Sequence, residues 1–224
     1  MKKEKINSSG YFPAFLNIRR KKCIIVGGGN VALRKVNILL SCGANVRVIS
    51  SRFHPDLARL AKKKIIRVIR RDYEPGDLKE AFVVIAATDD KKINRKVAQE
   101  AKKIRALVNV VDDPDPSDFI VPSVLRRGDL ILAISTGGRS PALSRKLRER
   151  LEETFGEEYA SLVSLVEEIR SSLKQKGTTV DAETWQDALE IDVILKLLRT
   201  GKQKKAKDFV TGRLTKGKTQ PFWH

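Results

Sequence analysis

A doubly wound, parallel α/β sheet followed by a smaller helical part is the fold class that this 224-residue sequence predicts. Three observations predict it. Short runs built almost wholly of Val, Ile, Leu and Ala alternate with helical apolar patterns through the first half; strands covered on both faces have this composition, and strands separated by crossover helices lie parallel. The first run passes straight into a glycine-rich turn and then a helix. Beyond residue 140 the apolar residues recur only at helical spacing.

In chain order, strands are expected at 23–26, 46–49, 65–69, 82–87 and 107–111, with helices at 31–41, 55–63 and 91–103. The turn-rich run Asp-Pro-Asp-Pro-Ser-Asp at 113–118 then breaks the alternation. Two short strands are expected after it, at 119–121 and 130–135. At Thr136-Gly137-Gly138-Arg139-Ser140-Pro141, Ser140 has the chemistry of an N-cap and Pro141 that of a first helical residue. Amphipathic helices are expected over 142–155, 158–176 and 182–198. The Lys-rich residues 201–224 are expected to form a mobile tail, and no internal repeat is present.

The glycine turn carries the first chemical signal. In Val-Gly-Gly-Gly-Asn-Val-Ala (26–32), the pattern G-x-G-x-x-A falls on Gly27, Gly29 and Ala32. Gly27 permits the tight turn, Gly29 lets backbone N–H groups approach a pyrophosphate, and Ala32 lets the helix sit close to the sheet. A strand before it and a helix after it are the context that a Rossmann-type dinucleotide site requires. A dinucleotide would then lie across the carboxyl ends of the strands, near residues 27–30, 50–52, 88–90 and 109–113.

Composition narrows the classes. Hydrophobic residues make up 41% of the chain, and no apolar run approaches membrane-spanning length. The charged start Met-Lys-Lys-Glu-Lys has no apolar stretch behind it, so a signal peptide is not expected and a cytoplasmic protein is. Cys23 and Cys42 lack C-x-x-C partners, and His54 and His224 stand alone, so neither a disulfide nor a zinc site is expected. Trp185 and Trp223 suit core or surface anchors better than base-stacking platforms. The net charge of +18 is uneven: 26 basic against 10 acidic residues over 1–112, 11 against 16 over 113–198, and 8 against 1 over 199–224. A basic first domain favours a polyanionic ligand. Nucleic-acid binding through tail residues such as Lys204, Lys205 and Lys207 is the weaker reading, since a Lys-rich terminus is commonly a solvated tail.

Three further segments could carry chemistry. Ser50-Ser51-Arg52 stands where an acidic residue usually holds the ribose of NAD; by itself this favours NADP, with Arg52 facing a 2′-phosphate, or Arg52 merely opens the next helix. Asp112 and Asp113 lie at the mouth of the fifth strand, where a carboxylate could move a proton or cap the turn before Pro114. Thr136 to Ser140 could form an anion pocket at a helix start, or an ordinary cap.

Six ordered segments together resemble one family: Tyr-Phe-Pro-Ala-Phe-Leu-Asn-Ile (11–18), Val-Gly-Gly-Gly-Asn-Val-Ala-Leu-Arg-Lys (26–35), Ala-Ala-Thr-Asp-Asp (86–90), Asn-Val-Val-Asp-Asp-Pro (109–114), Phe-Ile-Val-Pro-Ser (119–123) and Ser-Thr-Gly-Gly-Arg-Ser-Pro (135–141). The family is that of precorrin-2 dehydrogenase/sirohydrochlorin ferrochelatase, the amino-terminal module of siroheme synthase. The resemblance implies NAD-dependent desaturation of precorrin-2 to sirohydrochlorin, with ferrous iron insertion to siroheme in bifunctional members. It implies a catalytic role for Asp112 and dinucleotide contacts at Asn30, Val31, Ser51 and Arg52, with Thr88 and Asn109 close by; family members using NAD also lack the acidic ribose ligand. The tetrapyrrole would engage Thr136, Gly137, Gly138, Arg139 and Ser140. Thr136 replaces a serine that some members can have phosphorylated, which puts that regulation in doubt. The implied organisation is an NAD-binding domain over 1–112, a dimerisation segment of a homodimer over 113–145, a helical domain over 146–200 and the basic tail. A redox-sensing protein that binds NAD without catalysis is the alternative.

Overall fold

The computed structural model describes residues 10–216 and divides the chain into two compact units, one ending at Val121 and the other starting at Pro122. In the first unit β1 (Lys22–Val26), α1 (Asn30–Ser41), β2 (Asn45–Ile49), α2 (Pro55–Lys62), β3 (Arg67–Ile69), β4 (Val83–Ala86), α3 (Lys91–Lys103) and β5 (Leu107–Val110) follow one another. The strands form one parallel sheet in the order β3-β2-β1-β4-β5. The chain thus reverses its direction of winding beside β1, which opens a crevice at the carboxyl ends of β1 and β4.

Alternation within the strands supplies both apolar faces. Cys23 and Ile25 of β1 join Val46, Val48, Val83 and Ile85 under Ala32, Val36 and Leu39 of α1 and Leu57 of α2. Ile24 and Val26 point the other way, to Val84, Ala86, Val108 and Val110 under Val97, Ala98 and Ala101 of α3. The edge strand β5 is blunted by the chain that follows it. Val108 N–H donates to Asp118 Oδ2 (2.9 Å), Val110 N–H to Ser117 Oγ (2.9 Å), and Asp118 N–H to Val108 O (2.8 Å). Backbone groups that an open edge would expose are thereby satisfied.

The second unit opens with an antiparallel hairpin, β6 (Ser123–Arg127) and β7 (Leu130–Ile134), closed by a two-residue turn with Gly128 at φ +56°. α4 (Pro141–Thr154) and α5 (Glu158–Gln175) pack on the hairpin, and α6 (Ala182–Ala188), α7 (Ile191–Arg199) and α8 (Gln203–Lys216) complete the unit. Leu162, Leu165 and Ile169 of α5 meet Ala188, Ile194, Leu195, Ala206, Val210 and Leu214 in one core.

Four expectations are corrected here. Residues 119–121 are not a strand; the hairpin uses 123–127 instead, and Phe119 packs on the first unit's core. The helix expected over 182–198 breaks at Leu189 and Glu190 without any Gly or Pro. The chain divides after Val121, so 113–121 stays with the nucleotide-type sheet. Residues 203–216 are helix rather than mobile tail, because Ala206, Val210 and Leu214, spaced four apart, are buried. Two of that segment's cations are paired as well, Lys207 with Glu168 (2.5 Å) and Arg213 with Glu190 (2.7 Å). Residues 217–224, with Trp223 and His224, lie outside the described residues.

Candidate active site

A crevice of about 670 Å³ opens at the carboxyl edge of the sheet, lined by residues 26–31, 49–54, 72–73, 87–90 and Ile93. Three glycines shape it, each differently. Gly27 has φ +123°, and a Cβ there would lie 2.2 Å from the Ala87 carbonyl oxygen. At Gly28 a Cβ would lie 1.9 Å from the Arg52 carbonyl oxygen, so the turn and the β2 loop touch backbone to backbone. A Cβ at Gly29 would meet nothing within 4 Å. Gly29 is the N-cap of α1 and carries no side chain to cap the first-turn N–H groups. An anion entering beside Gly29 can take those donors, and the helix dipole favours it there. The residues present therefore fit a dinucleotide pyrophosphate.

The loops around the turn are braced by short polar contacts. His54 N–H donates to Gly28 O (2.7 Å), and Ser50 Oγ donates to Arg52 O (2.6 Å), which folds the β2 loop against the glycines and leaves Ser51 and Arg52 exposed. Across the crevice, buried Asn94 of α3 pins the β4 loop: its Oδ1 accepts from Thr88 Oγ1 (2.7 Å) and its Nδ2 donates to Thr88 O (2.9 Å). Asp90 caps α3 by accepting from Lys92 N–H (2.7 Å).

At the end of β5, Val111 N–H still donates to Ala86 O (2.9 Å), and the chain then turns sharply. Asp112 is exposed in that turn at φ +59°, a left-handed conformation that Asp tolerates better than most residues. Lys35 of α1 lies within electrostatic reach of it. Burial and the neighbouring Arg34 hold the Lys35 ammonium below the usual lysine range, and the Asp112 carboxylate acts against them.

In the second unit Ser140 Oγ accepts from Leu143 N–H (3.2 Å) and Pro141 occupies the first turn, so the expected cap of α4 is formed. Thr136 Oγ1 accepts from Ser140 N–H (2.9 Å) and donates to Ser140 O (3.1 Å), closing the loop on itself. Gly137 and Gly138 both have positive φ, and Arg139 is exposed.

Comparison with known proteins agrees with this geometry. A family model for NAD(P) binding matches residues 14–123, and the model of the sirohaem biosynthesis protein central region matches residues 127–154. Siroheme synthase of Methylobacillus flagellatus is 41% identical over 180 residues, covering 80% of this chain and 38% of that protein. Siroheme synthase of Tolumonas auensis is 36% identical over 211 residues, covering 91% of this chain and 44% of that protein. Among solved structures, SirC, a precorrin-2 dehydrogenase, superposes with a TM-score of 0.71 at 26% identity, covering 90% of this chain and all of that one. The chain is similar to siroheme synthases over most of its own length. It spans about two fifths of the length of those curated siroheme synthases.

Within the stretch that the NAD(P)-binding model matches, the crevice gathers most of the residues expected from sequence: Gly27, Gly29, Asn30, Val31, Ser51, Arg52 and Thr88 all line it. Asn109 does not. It is buried in β5, and its Nδ2 donates to Phe119 O (3.0 Å), holding the chain that covers the sheet edge. Asp112 lies at the same sheet edge but outside the crevice lining. Four residues were missed. Gly28 stood as the unspecified position of the motif, though three consecutive glycines signal more than one close approach. Asn94 stands among charged residues of α3, and its burial follows only from packing. Asp72, contributed after β3, lines the crevice although no motif marks it. Lys35 stood inside a quoted motif, four residues after Val31 and so on the same helix face. Among the described residues no group of three or more His, Cys, Asp or Glu could hold a metal ion, and no helix is long and apolar enough to cross a membrane.

Proposed function

We propose that this protein oxidises precorrin-2 to sirohydrochlorin with NAD+ as the oxidant. The observation that carries the reading is a dinucleotide crevice with an exposed carboxylate, Asp112, at the same sheet edge, in a chain that matches an NAD(P)-binding model and then the sirohaem biosynthesis central model. Precorrin-2 loses one hydride and one proton in this change, and NAD+, when bound, supplies the hydride acceptor. The N–H groups at the start of α1, beside Gly29, hold the pyrophosphate. Ser51 and Arg52 flank the adenosine end. Asp72 supports NAD over NADP, because a carboxylate lining the crevice can accept from ribose hydroxyls and repels a 2′-phosphate. The loop pinned by Asn94 carries Thr88 on the opposite wall.

Asp112 takes the proton as general base. An exposed carboxylate on a left-handed turn can point away from the sheet toward a bound macrocycle, and the basic first domain attracts the polycarboxylate substrate. The loop Thr136, Gly137, Gly138, Arg139 and Ser140 is the second candidate contact, with Arg139 as the free cation. Ferrous iron, as a substrate, would enter the product macrocycle while Asp112 accepts the displaced N–H protons. A homodimer built through 113–145 is supported by exposed Val124 and, just beyond that segment, Leu147 beside Leu143 on α4. The protein would work in the cytoplasm.

An anaerobic reaction of precorrin-2 with and without NAD+, followed by sirohydrochlorin absorbance and then by addition of ferrous iron, tests the reading. Sirohydrochlorin formed only with NAD+ supports it. NAD+ binding without conversion would leave an NAD-sensing protein instead.

A further inference from the structure

Resting on that reading, we propose that Lys35 is a substrate-positioning residue: its ammonium binds a carboxylate of the macrocycle and sets the reacting carbon beside Asp112. Lys35 lies four residues after Val31, which lines the dinucleotide crevice, so the two share one face of α1. Helical side chains lean toward the N-terminal end of their helix, and a long side chain at this position covers the turn before it. The Lys35 side chain therefore leads back toward the carboxyl edge of the sheet, where both the crevice and the Asp112 turn are found.

Its surroundings identify the missing partner. Lys35 flanks the buried stripe Ala32, Val36 and Leu39 and is itself only half exposed. Among the described residues it makes no ion pair within 4 Å and no side-chain hydrogen bond, although Asp112 is close enough to act on its charge. A partly desolvated ammonium without a hydrogen-bonded counter-ion is unfavourable, and it is relieved when an anion completes it. Asp112 supplies part of the opposing charge but not the contact. A flexible acidic side chain of the substrate supplies the contact, through a charge-assisted hydrogen bond. One such bond beside the general base orients a large ring about the carbon that must react.

Steady-state kinetics of the wild-type protein, Lys35→Met and Lys35→Arg with precorrin-2 and NAD+ test this, together with NAD+ affinity by calorimetry. Met keeps the apolar stem of the side chain and removes the charge. The expected result for Lys35→Met is a KM for precorrin-2 raised about tenfold, the loss of one such contact, with NAD+ affinity unchanged, and partial recovery in Lys35→Arg. An unchanged KM in Lys35→Met overturns the inference while leaving the functional reading intact. Equal loss of NAD+ affinity also overturns it, because the lysine would then serve the crevice. A wild-type protein that binds NAD+ but never converts precorrin-2 overturns the functional reading, and the inference with it.

Discussion

One added methyl group at Gly28 and, separately, at Gly29 distinguishes two roles that a single glycine turn combines. At Gly28 the new Cβ would lie 1.9 Å from Arg52 O, 2.8 Å from Ser50 Oγ and 2.9 Å from Ser50 Cβ. The first of these is roughly 1.5 Å inside the 3.4 Å of ordinary contact, and it is a contact with backbone. The β2 loop must move, and the His54 N–H bond to Gly28 O (2.7 Å) lies in its path. Overpacking of this kind costs about 1–3 kcal/mol. In a chain of this size each kcal/mol lowers Tm by about 2–4 °C, so Gly28→Ala is expected to melt roughly 2–12 °C lower and to bind NAD+ poorly. At Gly29 nothing lies within 4 Å of the added Cβ, and φ is −85°. Its effect on stability is expected to stay below about 1 kcal/mol, the small loss of replacing glycine by alanine at an N-cap. The methyl would nonetheless stand where the pyrophosphate must approach the α1 donors, and a Kd for NAD+ raised tenfold or more, about 1.4 kcal/mol, is expected. Thermal melts with calorimetric NAD+ titrations of both variants provide the readout. Wild-type NAD+ affinity in Gly29→Ala would refute the placement of the pyrophosphate, and a wild-type Tm in Gly28→Ala would refute the backbone approach.

Three other predictions follow from the same geometry. Asp112→Asn keeps shape and removes the base, so dehydrogenation is expected to slow by about 10²–10⁴-fold with NAD+ affinity unchanged, measured by anaerobic kinetics beside calorimetry. Leu214→Ala opens a cavity in the helical core, where Leu214 is 1% exposed, and is expected to destabilise the protein by about 2–5 kcal/mol in urea unfolding; a change near zero would return this segment to a solvated tail. Burial pushes the Cys23 thiol up to about 11, with Cys42 nearby adding to the shift. Below that pH Cys23 stays a thiol, so a thiolate-selective reagent at neutral pH is expected to label Cys42 alone in the native protein and both cysteines after unfolding.

The sheet was legible in the sequence because its signals are local and agree: apolar runs buried on both faces and one strand–glycine–helix junction; the cap at Ser140 was equally readable. The hairpin was harder to see. Ser-Val-Leu-Arg-Arg alternates weakly, whereas the more apolar Phe-Ile-Val just before it is drawn onto the first unit's core and covers the β5 edge instead of forming a strand. α8 was hidden by its lysines, since Ala206, Val210 and Leu214 carry helical spacing with little hydrophobicity between them. In the site, residues that present backbone or stand at strand tips were readable. Asn94 and Asn109 were not, because each acts by bonding to a carbonyl brought close only by the fold. Lys35 was visible as a residue but not as a cation within electrostatic reach of Asp112, since the two are far apart in sequence and only the fold brings them near.

The measurement that tests the central claim most directly is the stoichiometry of one anaerobic reaction, with NADH and sirohydrochlorin quantified together after precorrin-2 and NAD+ are mixed with the protein. One NADH for each sirohydrochlorin, both absent when the protein is omitted, is the predicted result. Sirohydrochlorin formed without NADH, or bound NAD+ that leaves precorrin-2 unchanged, would contradict it.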